Sequence, residues 1–202
     1  EALFFYAGHG LQVKGTNYLP AVDAEIGSEQ DVPLQSINVT TILDLLEESK
    51  AGVKLVFLDA CRNNPYSRSF RSSATGLSKV GNAPSGTLIS FATRPGSVAA
   101  DGTGQNGLYT EVLLRYIATP NQPIEQMLKK VASGVEQTSQ GKQEPWIEGS
   151  IKGDFFFITG PVTIVQQNTT PASLDPETEA WTAARESNSP SIVELYLREY
   201  PT

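Results

Sequence analysis

Two hundred and two residues, 39% of them apolar, suffice for one α/β domain with a sizeable core and a small appendage, and are too few for a second full domain. A net charge of -7 with scattered Lys and Arg argues against a grip on nucleic acid or an anionic membrane surface, since both require clustered cations. One cysteine and one histidine exclude an internal disulfide and a Cys/His zinc cluster, which leaves the thiol free.

In chain order, residues 3–7 form the first predicted strand, an all-apolar run of Leu3, Phe4, Phe5, Tyr6 and Ala7. Such a strand needs neighbours on both sides, so further strands are expected upstream of Glu1. Residues 38–49 follow as a helix, with Val39, Ile42, Leu43, Leu45 and Leu46 on one face and Asn38 as N-cap. Residues 53–59 and 87–92 are the next strands. A second helix over 108–118 presents Leu108, Val112, Leu113, Tyr116 and Ile117, and Pro120 ends it. A third runs from Ile124 to about Thr138, and residues 154–158 are expected as a fourth strand. Strands alternating with helices imply a mostly parallel sheet flanked by helices, with the strand C-terminal ends along one edge.

Two long loops, 62–86 and 94–106, interrupt this pattern and carry much Gly, Ser and Asn. Three segments are expected: a domain over 1–160, a linker over 161–176 rich in Thr, Pro, Gln and Asn, and a helical segment over 177–202. The last reads as two short helices anchored by Trp181, Val193, Tyr196 and Leu197, the start of a further domain. No run approaches the roughly 18 apolar residues that span a bilayer, and residues 1–9 read as a strand rather than the basic start of an export signal, so compartment stays open.

The lone His and Cys each sit just past an apolar run, in Ala7-Gly8-His9-Gly10 and Leu58-Asp59-Ala60-Cys61-Arg62. A thiol protease needs a thiolate aimed at a carbonyl, an imidazole to carry its proton and backbone amides for the oxyanion. Cys61 suits the first role, His9 the second, and Gly10 with Cys61 the third, because glycine lets a substrate approach the backbone. Read from the residues alone, a satisfied structural histidine and a small buried cysteine stand as open alternatives.

At these residues the chain resembles the caspase-like peptidases, specifically the bacterial type of the paracaspase and metacaspase branch. The match consists of Tyr6-Ala7-Gly8-His9-Gly10, Leu58-Asp59-Ala60-Cys61-Arg62-Asn63-Asn64-Pro65, the run from Gly86 to Gly96, and Asn106-Gly107-Leu108-Tyr109-Thr110. The resemblance spans Glu1 to about Gly160 and implies a caspase-hemoglobinase fold that lacks its first strands here. It also implies hydrolysis of peptide or protein substrates through an acyl-enzyme, with His9 and Cys61 as the dyad and Gly10 in the oxyanion hole.

Two departures from true caspases bear on specificity. Caspases carry Gln two residues before the nucleophile and Arg in the loop after the next strand, both facing the aspartate they cleave after. Here those positions hold Asp59 and Asp101. A pair of acids repels aspartate and attracts guanidinium, so cleavage after Arg, with Lys as second candidate, is expected. Arg94, in the same loop, is the counterargument, since it can neutralise the pocket. The basic residues Arg62, Arg68, Arg71 and Lys79 in the first loop make self-cleavage there an expectation. No metal or other cofactor is expected. Some metacaspases depend on calcium, but the acidic group Asp23, Glu25, Glu29 and Asp31 lacks EF-hand spacing. The competing readings are a catalytically silent scaffold for protein interaction and another type of Cys/His hydrolase. Oligomeric state is not legible.

Overall fold

The computed structural model describes residues 1–61, 77–81, 83–95, 97, 99, 106–160, 181 and 190–200, with Cys61, 190–193 and 195 described by their backbone alone. The chain divides into two compact units, Glu1–Gly160 and Pro161–Thr202.

The first unit is built on four strands in the order β1 (Ala2–His9), β5 (Lys54–Cys61), β6 (Thr87–Phe91) and β7 (Trp146–Gly149), the first three parallel and the last antiparallel. Continuous apolar runs are what strands covered on both faces require. In β5 and β6, alternate residues supply two separate cores. Leu55, Phe57 and Leu88 point one way, to α3 (Leu108–Ile117) and α4 (Ile124–Thr138), which bury Tyr109, Val112, Leu113, Met127, Leu128 and Val131. Val56, Leu58, Ala60, Ile89 and Phe91 point the other way, to α2 (Val39–Glu48). That helix starts where Asn38 Oδ1 accepts from the Thr40 amide at 2.8 Å. The buried Lys54 ties its last turn to β5, with Nζ 2.7 Å from Glu47 Oε2 and 3.1 Å from the Ser85 carbonyl to which it donates.

β1 pairs with β5 only, among the described residues. Phe4 and Tyr6 pack on the α2 side, while Leu3 and Phe5 are 52% and 43% exposed on the other face. Two features depart from the sequence expectations. Between β1 and α2 lies a small antiparallel sheet of β2 (Leu11–Val13), β3 (Thr16–Pro20) and β4 (Ser36–Asn38), with a one-turn helix α1 (Val32–Gln35). The second is a correction: residues 154–158 are not a strand of the sheet. Their carbonyls turn to the entry of α4, where Phe155 O accepts from Ile124 N at 2.9 Å and Ile158 O from Asn121 N at 2.8 Å. Phe155 and Phe157 meet edge to face at 5.1 Å and pack on the α3/α4 core. The antiparallel strand is β7 instead.

In the second unit, α5 (Pro190–Glu199) corresponds to the expected last helix. Tyr196 stacks between Trp181 at 5.1 Å and Tyr200 at 5.4 Å. The rest of the expected linker and first terminal helix lies outside the described residues.

Tyr109 closes the α3/α4 core beneath the strand tips. Its ring is fully buried, with Oη 2.6 Å from Ser90 Oγ. Burial pushes the phenol well above its usual 10.0, against the opposing Ser90 bond and with help from the Asp59 charge. The folded value is the raised one, so the contribution is complete below pH 10, where both states are protonated. Above that the unfolded chain ionises first, and stability falls as pH climbs toward the folded value. Denaturation between pH 9 and 11.5 is therefore expected to lose up to about 1.4 kcal/mol per pH unit from this group, a slope that Tyr109→Phe abolishes. At the start of α2, Asn38→Ala is expected to cost about 1 kcal/mol in urea unfolding and Asn38→Gly only a few tenths.

Candidate active site

Parallel pairing of β1 with β5 runs in register from Ala2 opposite Lys54 to His9 opposite Cys61, with Ala7 opposite Asp59. Both strands therefore stop at the same level, and the single histidine and single cysteine are direct cross-strand partners. Adjacent strands run about 4.8 Å apart, which is within the span of one imidazole. His9 is solvent-exposed and continues the row of Leu3, Phe5 and Ala7.

The end of β1 is fixed from the α2 side. Tyr6 Oη lies 2.9 Å from the His9 carbonyl and 3.0 Å from that of Pro20, and donates between them. The ring reaches this position by folding along its own strand over Gly8, where an added Cβ would sit 2.7 Å from the hydroxyl. Gly10, assigned from sequence to the oxyanion hole, is buried. A Cβ there would lie 2.8 Å from Leu77 Cγ and 3.1 Å from Ala60 Cβ. Close packing thus gives Gly8 and Gly10 a reason to be glycine that is independent of any substrate.

Asp59 is 5% exposed and faces the N-terminus of α3. Its Oδ2 accepts from the Thr110 hydroxyl at 2.5 Å and from the Thr110 amide at 3.2 Å. Gly107, the N-cap, has no capping side chain, and a Cβ there would come within 2.7 Å of the same oxygen. A carboxylate at this place satisfies an orphan amide of the first turn and complements the positive end of the helix.

Arg94 pairs with Glu144 at 2.8 Å and donates to Ser97 Oγ at 3.3 Å. Asp101, Arg62, Arg68 and Arg71 lie outside the described residues. Lys79 is described, and its ammonium stands 5.0 Å over the Trp146 ring. Of the acidic group, Asp31 is committed to a turn: its Oδ2 accepts from Ser28 Oγ, Ser28 N and Gly27 N. The Ser28 hydroxyl bond, followed by the Ser28 amide, holds this carboxyl below its usual range. Among the described residues no three His, Cys, Asp or Glu side chains gather as metal ligands, and no helix is long and apolar enough to cross a membrane.

Sequence reasoning named Asp59 but missed its partners Thr110 and Gly107, and missed Tyr6 and Leu77 behind the glycines. Neither left a signal in the sequence, since Thr110 lies 51 positions from Asp59 and Leu77 lies in a long loop far along the chain from Gly10.

No curated protein matches the chain. A solved structure, caspase-1 from Spodoptera frugiperda, aligns with a TM-score of 0.45 and 19% identity, covering 62% of this chain and 57% of that one. The family model described as the caspase domain matches residues 2–156. On that match, which takes in both strand tips and all of α3 and α4, the chain belongs to the caspase family of cysteine peptidases and has its fold, a mixed, mostly parallel sheet flanked by helices.

Proposed function

We propose that this chain is a cysteine endopeptidase of the paracaspase and metacaspase branch that hydrolyses peptide bonds after arginine, with lysine as the second choice. The observation that carries the reading is the register of β1 on β5, His9 opposite Cys61, with the buried Asp59 two residues before the nucleophile position.

In the proposed mechanism the Cys61 thiolate attacks the scissile carbonyl carbon. The oxyanion that forms accepts hydrogen bonds from the amides of Gly10 and Cys61. His9 delivers its proton to the leaving amine as the C–N bond breaks, leaving a thioester on Cys61. Water then attacks the thioester while His9 takes its proton, and the acid product and free thiol are released. The exposure of His9 suits this shuttle, because the ring must reach both leaving group and water.

Specificity follows from charge at the foot of the site. Asp59 lies where a true caspase has a neutral amide, and its carboxylate suits a planar guanidinium through paired hydrogen bonds, whereas an aspartate side chain would be repelled. Asp101 is proposed as the second acid of the same pocket. An ammonium meets the acids as a point charge without the fork geometry, which ranks lysine second. Arg94, committed to Glu144, is not proposed as a pocket residue. Self-cleavage within 62–86 by the same specificity is part of the proposal.

The test uses the natural full-length protein with fluorogenic peptides that differ only in the residue before the cleaved bond. Arg is expected to be cleaved fastest, Lys more slowly and Asp at background. Cys61→Ala and His9→Ala are expected to lower kcat/KM by at least about 10²–10⁴-fold. Asp59→Asn is expected to lower it about tenfold or more for the Arg peptide. Cleavage of the Asp peptide in preference to Arg overturns the specificity, and activity that survives Cys61→Ala overturns the mechanism. Failure of an arginyl acyloxymethyl ketone to label Cys61 would favour a silent scaffold.

A further inference from the structure

We propose that Thr110 is a positioning residue for the specificity pocket, its hydroxyl and amide fixing the plane in which the Asp59 carboxylate meets a guanidinium. The inference rests on the reading of Asp59 as a pocket acid and adds to it the residue that orients that acid.

An aspartate near a strand end has two free side-chain torsions, and a bidentate pair with arginine tolerates little error in either. Here both donors of Thr110 converge on one oxygen, Oδ2, at 2.5 and 3.2 Å, which fixes that oxygen from two directions. Thr110 is itself held. It is 9% exposed, in the first turn of a helix whose Leu108, Tyr109, Val112 and Leu113 are buried in the core. Gly107 completes the seat, since its missing Cβ leaves room for both carboxylate oxygens, 2.7 and 3.2 Å from where that atom would stand. The bond between strand and helix thus reaches the pocket through Thr110, and a carboxylate that lost it would lose two of the donors that orient it.

A purely structural role predicts something different. Thr110 would then dock α3 and set stability, and its loss would slow all substrates alike. The discriminating substrates are two peptides identical except for Arg or citrulline before the cleaved bond, because citrulline keeps the shape of arginine without its charge.

In the natural full-length protein, Thr110→Val is expected to lower the Arg-to-citrulline ratio of kcat/KM about tenfold, with the loss for Arg in KM more than in kcat. Thr110→Ser, which keeps the hydroxyl, is expected to restore the ratio to within about twofold. Thermal melting establishes that each variant is folded; should Thr110→Val not fold, Thr110→Ala against Thr110→Ser makes the same comparison. If Asp59→Asn collapses the ratio while the folded Thr110 variants leave it unchanged, or lower both substrates equally, the positioning role is overturned and the pocket reading survives. If Asp59→Asn itself leaves the ratio unchanged, the pocket reading fails, and the positioning role with it.

Discussion

The parallel pairing of β1 with β5 is the constraint on which the rest depends. Side chains alternate faces along a strand, so a slip of one residue would transfer Leu3, Phe5, Ala7 and His9 to the α2 side and set Tyr6 and Phe4 against the other core. The register is protected against that slip because the two faces differ. Phe4 and Tyr6 pack with Val56, Leu58 and Ala60 over α2, and Tyr6 also bonds the Pro20 carbonyl in the small sheet, a contact that exists on one face only. Burying those aromatic rings is worth a few kcal/mol, far more than any single pair of strand hydrogen bonds contributes net. Packing on the α2 side therefore excludes the slip that would turn His9 to the α2 side, away from Cys61.

Much of this was legible in the sequence, and the reason is periodicity. Asn38 followed by Val39, Ile42 and Leu43 gave a capped helix within a residue of the one found, and the apolar runs gave strands over residues 3–7 and 53–59, which the structure extends to His9 and Cys61. The small sheet left no such mark. Its strands have three to five residues, too short for an alternation to repeat, and its β2–β3 hairpin turns on Lys14-Gly15, with φ values of 49° and 84°, rather than on a more telling Asn-Gly pair. Residues 154–158 misled for the opposite reason. Phe155, Phe156, Phe157 and Ile158 make a continuous apolar run rich in aromatics, but such a run reports only burial and does not say whether a sheet or a helix pair supplies it.

At the site, residue types were legible and their supports were not. The histidine and the cysteine are unique in the chain and sit just past apolar runs, and Asp59 drew attention through the family resemblance, as an acid where caspases carry Gln. Thr110 lies 51 positions from Asp59, and nothing in its own neighbourhood marks it as the donor to a distant carboxylate. Such long-range pairs come from folding, because two elements that are apolar everywhere else must satisfy the polar groups at their junction. The glycines flanking His9 show the same limit. From sequence they read as room for a substrate, whereas the atoms nearest them belong to Tyr6, Leu77 and Ala60.

The two halves of the site are thus anchored by two different cores. The histidine end is held from the α2 side through Tyr6, Leu77 and Ala60, and Asp59 is held from the other side through Thr110, with the Tyr109–Ser90 bond beneath it. β5 and β6 both belong to the two cores, and of these β5 is the strand that runs on to Cys61. The α3 face thus supplies the contacts that hold the acid, and the α2 face those that hold the end of β1. On the proposed reading, charge selection at Asp59 and proton transfer at His9 therefore rest on different packing contacts of one close-packed sheet.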